Sequence, residues 1–254
     1  MKCRKYLVGE SVLMKGKLTL PVHKIIPFSN VDGPGNRTAI FVQGCNLNCV
    51  YCHNPETIAL PCNSESYKEM TIEELLKEIL NYKPYIKGIT VSGGEATLYK
   101  EYLTVLFKEL KNHDLSCYID TNLIFDWKDQ EPLIEVTDGY IVDIKAYGNM
   151  QKLTSRSHNQ DLSLLKILLA EKKVVEVRTV CIEQYMDLEN TIKKTAEILK
   201  NYPKVEYKLI RVHHRGLSQK QREKIDNNIP DTAKMEKLKE LAVLQGVKNI
   251  TIIL

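Results

Sequence analysis

The sequence has no apolar run approaching the ~18 residues that a membrane-spanning helix needs, and its charged N-terminus lacks the apolar core of a signal peptide. No membrane partner is expected, and a cytoplasmic location follows by default. Charge of one sign is also scarce. The 36 Lys and Arg residues stand against 32 Asp and Glu, a net of +4, and the lysines are dispersed, so a nucleic-acid partner is not indicated. A disulfide framework is missing as well. The seven cysteines are odd in number, and three of them fall within eight residues instead of being spread along the chain. Such clustering points to a metal site in a reducing compartment. Internal repeats, low-complexity segments and any clear catalytic dyad are absent too. What remains is an ordinary globular composition, 43% hydrophobic and 27% charged.

The 254 residues suffice for a sizeable core, with 1–21 reading as a short leader and 22–254 as one domain. From Thr38 onward, short β-branched runs alternate with amphipathic helices. Strands are predicted over 38–43, 88–92, 116–120, 140–143, 174–181 and 205–212, with a last strand-like run over 249–254. Thr71-Ile72-Glu73-Glu74 reads as a capping box, with Ile72, Leu75, Leu76, Ile79 and Leu80 on one face. Leu103, Leu106, Phe107 and Leu110 repeat that spacing, as do Leu164, Leu165, Leu168 and Leu169, and then Ile192, Ala196 and Leu199. A final helix is expected over about 231–245, stopped by Gly246. This alternation implies right-handed βαβ crossovers and a parallel sheet. Roughly six units are too few for a closed eight-fold barrel, so the expected α/β fold is an open, partial TIM-like barrel or a doubly wound sheet. Ligands then belong at the C-terminal ends of the strands. Segments 59–70 and 217–230 read as surface loops, and Cys117 and Cys181 as small core residues.

The informative segment is Gly44-Cys45-Asn46-Leu47-Asn48-Cys49-Val50-Tyr51-Cys52-His53-Asn54, which follows the first predicted strand. Thiolates at this spacing hold iron or zinc. A structural zinc site wants four closed ligands, and His53, adjacent to Cys52, is poorly placed to be the fourth. Three cysteines suit a cubane cluster with one iron left open. The second feature is Thr90-Val91-Ser92-Gly93-Gly94-Glu95-Ala96, where two glycines between a strand and a helix let backbone N–H groups approach a ligand. Third come polar strand ends, Asp120-Thr121-Asn122 and then Asp143 with Lys145, two residues apart and so on one side. Without context they are equally strand-end caps and a local ion pair. Glu176 and Arg178, on a strand buried on both faces, are costly unless paired or functional.

The pattern Cys45-x3-Cys49-x2-Cys52, with Tyr51 before the last cysteine, resembles the signature of the radical S-adenosylmethionine (SAM) superfamily. Val31-Asp32-Gly33-Pro34-Gly35-Asn36-Arg37 upstream and Tyr51-Cys52-His53-Asn54-Pro55 downstream narrow the resemblance to the glycyl radical enzyme activases, the pyruvate formate-lyase-activating enzyme family. It runs from about Val22 to the C-terminus. Its segments look closest to a branch whose members often carry a ferredoxin-like insert; here the loop 59–70 keeps only Cys62, and no auxiliary cluster is expected.

The resemblance implies a 4Fe–4S cluster on Cys45, Cys49 and Cys52, and SAM held by Tyr51, Cys52, His53, Gly93, Gly94, Glu95, Asp143, Ile144, Lys145, Arg178 and His213. His214, next door, makes the histidine's register ambiguous. Asp120, Thr121 and Asp143 match positions that supply oxygens to a monovalent cation, and Leu123 stands where the family usually has glycine. Asp32 and Arg37, close to the cysteines in sequence, are expected to help seat the partner's glycine loop. The implied activity is anaerobic: reductive cleavage of SAM and removal of a hydrogen from a glycine Cα of a partner glycyl radical enzyme, with an external flavodoxin or ferredoxin as electron donor. Two other readings compete, a radical SAM enzyme acting on a small molecule or nucleotide, and a zinc-stabilised binding protein without catalysis.

Overall fold

In the computed structural model, which describes residues 13–14, 17–62, 65–148, 150–157 and 159–254, the longest strand is one that the sequence pattern hides. After β1 (Leu13–Met14), β2 (Lys17–Ser29) runs for 13 residues. It contains Pro21 and Pro27, which lack an N–H and argue against a strand, but they sit on an irregular antiparallel ribbon. Its register against β3 (Arg37–Val42) shifts between Val22 and Lys24 and again between Ile26 and Ser29. On its other part β2 pairs with β4 (Lys68–Thr71), so the end of the predicted loop 59–70 is a strand. Cys62, in that loop, is disulfide-bonded.

The chain divides into two compact units. The first takes in 56–121 and 125–140 with the described residues up to 46; the second holds 47–55, 122–124 and 141–254. In the first, β3 pairs in parallel with β5 (Gly88–Gly93), and β5 with β6 (Ser116–Thr121). Nearly every residue of β3 and β5 is buried, as expected of parallel strands covered on both faces. The Thr71 capping box is present and opens α1 (Ile72–Leu80), which buries Leu75 and Ile79. α2 (Lys100–Lys111) buries Tyr102, Leu103, Leu106, Phe107 and Leu110 completely. Each such large apolar side chain stabilises the unit by roughly 2 kcal/mol. α3 (Trp127–Val136) carries Pro132 inside it, which masks its helical pattern in the sequence.

β7 (Gly139–Asp143) is divided between the units. The second unit continues with α4 (Gln151–Thr154), α5 (Leu162–Ala170), β8 (Val174–Cys181), α6 (Leu188–Leu199), β9 (Glu206–Arg211), α7 (Gln219–Ile225), α8 (Thr232–Leu244) and β10 (Ile250–Ile253). β8, β9 and β10 are parallel neighbours. α7 lies inside the predicted loop 217–230. Among its residues only Ile225 is buried, so no apolar period announces it; a Ser218–Gln221 capping box starts it instead. No described helix is long and apolar enough to cross a membrane.

Candidate active site

In the first unit, the cysteine loop leaves β3 at Gly44 and is pinned by backbone bonds. Gly44 N donates to Thr57 O at 2.7 Å and Cys45 N to Ile58 O at 3.2 Å. The Gln43 amide donates to Glu56 O and Ala59 O, and the Tyr99 hydroxyl to Gln43 O. The Gly-Gly-Glu turn closes onto this start. Gly94 N donates to Val42 O (2.9 Å) and Glu95 N to Gly44 O (2.8 Å). A Cβ on Gly94 would stand 1.9 Å from Gly44 O, and one on Gly93, whose φ is +106°, 2.4 Å from Val42 N. The two glycines are therefore required by close backbone approach. Glu95 is buried, and one of its oxygens accepts from Thr97 N (3.2 Å), Thr97 Oγ1 (2.7 Å) and Thr121 Oγ1 (2.7 Å). Beside them Ser92 Oγ donates to Asp120 Oδ2 at 3.0 Å.

Asp32 and Arg37 lie elsewhere in this unit. Arg37 opens β3, five residues and about 17 Å of extended chain before Val42. Proximity to the cysteines in sequence is thus not proximity in space. Arg37 is wholly buried and its guanidinium is committed inward: Nε donates to Thr90 Oγ1 (2.9 Å), Nη1 to Ser116 Oγ (3.0 Å), and Nη2 to Ile89 O (2.6 Å) and Ser116 O (2.8 Å). It also stacks 3.6 Å over the Tyr118 ring. Asp32, half-buried, accepts from Ser29 Oγ, and its carbonyl accepts from Thr90 Oγ1.

The second unit holds the rest of the cysteine loop. Asn48 N donates to Thr154 O and Val50 N to Leu153 O, while Cys52 N donates to Cys49 O at 3.1 Å. Cys45, Cys49 and Cys52 form no disulfide and are half-buried. Burial pushes the Cys49 thiol up to about 11, against the pull of Lys145. The His53 ring stacks on His213, with centroids 4.3 Å apart and planes within 9°. Burial holds both imidazoles below their ordinary pKa. His214 instead reaches Asp226 Oδ1 at 2.6 Å, so it is His213 that stands at the loop.

Lys145 Nζ meets Asp143 Oδ2 at 2.7 Å and lies 5.7 Å from the Tyr51 ring centroid. Burial opposes both charges, yet each keeps the other ionised: the Asp143 carboxyl is held below its usual range and the Lys145 ammonium well above its own. Gln160, unremarked in the sequence, clamps this segment. Its amide accepts from Lys145 N (2.8 Å) and donates to Asp143 O (2.6 Å) and Asn122 O (2.7 Å). Ile144 is buried and its N–H donates to Arg178 O. Arg178 Nε donates to Glu176, whose other oxygen takes Lys208 Nζ at 2.6 Å. The costly charges on β8 are therefore paired, with one buried carboxylate between two cations. Leu123, completely buried, adopts φ +59°. The turn after Asn122 thus keeps the left-handed conformation that suits glycine, at a cost of roughly 1 kcal/mol.

On the cysteine loop, two buried polar atoms have no hydrogen-bond partner among the described residues, Tyr51 Oη and His53 Nε2. Orphaned buried groups are expensive, so beside the thiols of Cys49 and Cys52 they fit a polar ligand bound at this loop. Among the described residues, no three His, Cys, Asp or Glu side chains converge around a single ion. Three soft thiols on one loop, with a capping backbone turn against its start, are a donor set that fits an iron–sulfur cluster.

The cysteine loop follows β3 and the Gly-Gly-Glu turn follows β5, so both stand at the C-terminal ends of paired parallel strands. Residues 39–200 match the model of the radical SAM superfamily. A Haemophilus influenzae protein bearing the name glycyl-radical enzyme activating enzyme is 38% identical, over 94% of this chain and 98% of that one. The pyruvate formate-lyase-activating enzyme of Clostridium pasteurianum is 33% identical over 90% and 97%. The chain belongs to the radical SAM superfamily, among the glycyl-radical enzyme activating enzymes. Solved structures agree on the fold: QueE from Escherichia coli (15% identity, TM-score 0.56, 92% and 93% covered) and SuiB from Streptococcus suis bound to SAM (16%, 0.58, 82% and 48%). The family's cofactors are a 4Fe–4S cluster and SAM.

Proposed function

We propose that the chain is an activase that cleaves SAM reductively and installs a glycyl radical on a partner enzyme. The observation that carries this reading is the closure of Gly93-Gly94-Glu95 onto Gly44, at the root of the loop that carries the three cysteines. When bound, the cluster and SAM supply one-electron cleavage of the sulfonium to methionine and a 5′-deoxyadenosyl radical, which takes a hydrogen from a glycine Cα of the partner.

The protein's residues bind and orient. Cys45, Cys49 and Cys52 would hold the cluster. In the first unit, the Gly93 and Gly94 backbone and the Glu95 carboxylate would take the SAM ammonium, and Asp120 and Thr121 would offer oxygens to a monovalent cation. In the second unit, Lys145 and Arg178 are the cations that suit the anionic and polar parts of SAM. Asp143 keeps Lys145 charged, and Tyr51, His53, Ile144 and His213 are the unit's other positions for the cofactor. Pre-paired charges and glycine-permitted backbone contacts need little rearrangement when the ligand arrives. At the other end of β3, Asp32 presents to the partner's glycine loop while Arg37 holds the 31–36 turn in shape from within.

Anaerobic reconstitution, followed by SAM and the cognate glycyl radical enzyme, tests this. We expect about stoichiometric 5′-deoxyadenosine and a glycyl radical signal on the partner. Cleavage of SAM without that signal would mean a small-molecule substrate, and stoichiometric zinc with no iron or sulfide would remove the redox reading altogether.

A further inference from the structure

β7 ends at Asp143, and the backbone beyond it is held piece by piece within the second unit. Ile144 N donates to Arg178 O (2.8 Å), Lys145 N to Gln160 Oε1 (2.8 Å) and Tyr147 N to Thr191 Oγ1 (3.0 Å). Gln160 does more than satisfy one N–H. Its Nε2 donates to Asp143 O (2.6 Å) and to Asn122 O (2.7 Å), so both of its N–H donors and its carbonyl are in use. One buried amide therefore ties the turn at 122–124 to the backbone on both sides of Ile144.

The amide itself starts from a fixed place. Gln160 immediately precedes the N-cap of α5, where Asp161 accepts from Ser163 N (2.9 Å) and Ser163 Oγ (2.7 Å). α5 buries Leu162, Leu164, Leu165, Leu168 and Leu169, and a helix packed so closely resists displacement. What the clamp holds is the base of an ion pair. Asp143 provides one clamped carbonyl and Lys145 the clamped N–H, and their side chains meet at 2.7 Å. The Lys145 ammonium lies 5.7 Å from the Tyr51 ring centroid, beside the orphaned Tyr51 hydroxyl.

We propose that Gln160 is a positioning residue for the SAM site: it carries the rigid start of α5 to the Asp143–Lys145 backbone and so fixes where the Lys145 ammonium stands. The inference rests on the activase reading, in which Lys145 suits the anionic part of SAM. A merely structural amide would stabilise the unit and leave ligand affinity alone. A positioning amide acts on affinity through Lys145, because an ammonium displaced by about 1 Å loses its match to the bound ligand.

The test starts from Gln160→Met, which keeps length and bulk and removes all three hydrogen bonds. When the reconstituted holoprotein is titrated with SAM, Kd should rise about tenfold or more. With the cognate partner, KM for SAM should rise in step while kcat stays within about threefold. Amide exchange over 143–147 should accelerate, with exchange in α8 unchanged. In a Lys145→Met background, Gln160→Met should change Kd by less than about twofold, since its route to SAM is already gone. Leu238→Ala, buried in α8, is the stability control: it should lower the urea midpoint at least as far and bind SAM as the parent does. Gln160→Asn, an amide one methylene shorter, replaces Gln160→Met if that variant does not fold, and should raise Kd about threefold or more. Parent affinity in the Gln160 variant or in Lys145→Met, a fully additive effect of the two, or an equal loss of affinity in Leu238→Ala overturns the positioning role. A parent protein that holds no cluster, or binds no SAM, would instead overturn the activase reading.

Discussion

The two units build their strand ends from different materials. In the first, the ends of β3 and β5 meet through backbone: glycines with no Cβ, N–H groups on carbonyls, and neutral hydroxyls around Glu95. In the second, the corresponding positions are side-chain charges in pairs, Asp143 with Lys145 and Glu176 between Arg178 and Lys208. The first tolerates no added atom, whereas the second tolerates no missing charge. That difference predicts opposite responses to substitution.

The largest effect should come from the smallest change. Gly94→Ala places a methyl 1.9 Å from a carbonyl that cannot step aside. We expect a loss of about 3 kcal/mol or more in urea unfolding, together with lost iron incorporation. If Gly94→Ala folds and loads iron normally, the backbone account of the first unit is wrong. Next, Lys145→Met leaves Asp143 without its cation, a loss of about 2–4 kcal/mol after allowing for its partial exposure. Adding Asp143→Asn should restore part of that stability but not SAM binding. The pair also has a pH signature. Because the Asp143 carboxyl is depressed in the folded chain, its contribution is complete above its ordinary pKa near about 4 and fades as pH falls through the lower folded value. Urea unfolding from pH 6 downward should therefore show a steeper decline in the parent than in Lys145→Met.

A middle-sized effect should follow Gln221→Leu, which removes two hydrogen bonds to the cysteine loop and half of a capping box. Roughly 1–2 kcal/mol and faster amide exchange at 50–53 are expected, with unchanged exchange in α5. The smallest contrast separates adjacent histidines. His213→Ala should weaken SAM binding, while His214→Ala, which loses only an exposed pair with Asp226, should alter stability by less than about 0.5 kcal/mol and leave SAM binding as it was.

Legibility from sequence followed the same division. Features defined by neighbours along the chain were readable: the cysteine spacing, the Gly-Gly-Glu turn, the Thr71 capping box and the leucine stripe of α5. The α/β class followed from their alternation. Elements defined by partners far along the chain were not. β2 was obscured by its prolines and made regular enough by β3 and β4, and α7 by its polarity. Gln160 and Gln221 gave no signal, because an amide becomes a clamp only when distant carbonyls arrive beside it. Arg37 read as a contact for a partner, yet five hydrogen bonds to four residues of β5, β6 and the preceding turn enclose it.

By itself, the amino-acid sequence determined the reactive inventory: three thiols at cluster spacing, a glycine pair able to approach them, and the strands and helices that carry both. Spacing and side-chain chemistry are local, so they survive without a fold. Only the tertiary structure decided which charges would be buried in pairs and which histidine faces the loop. Those outcomes depend on desolvation and on contacts between residues tens to more than a hundred positions apart, which no local pattern encodes.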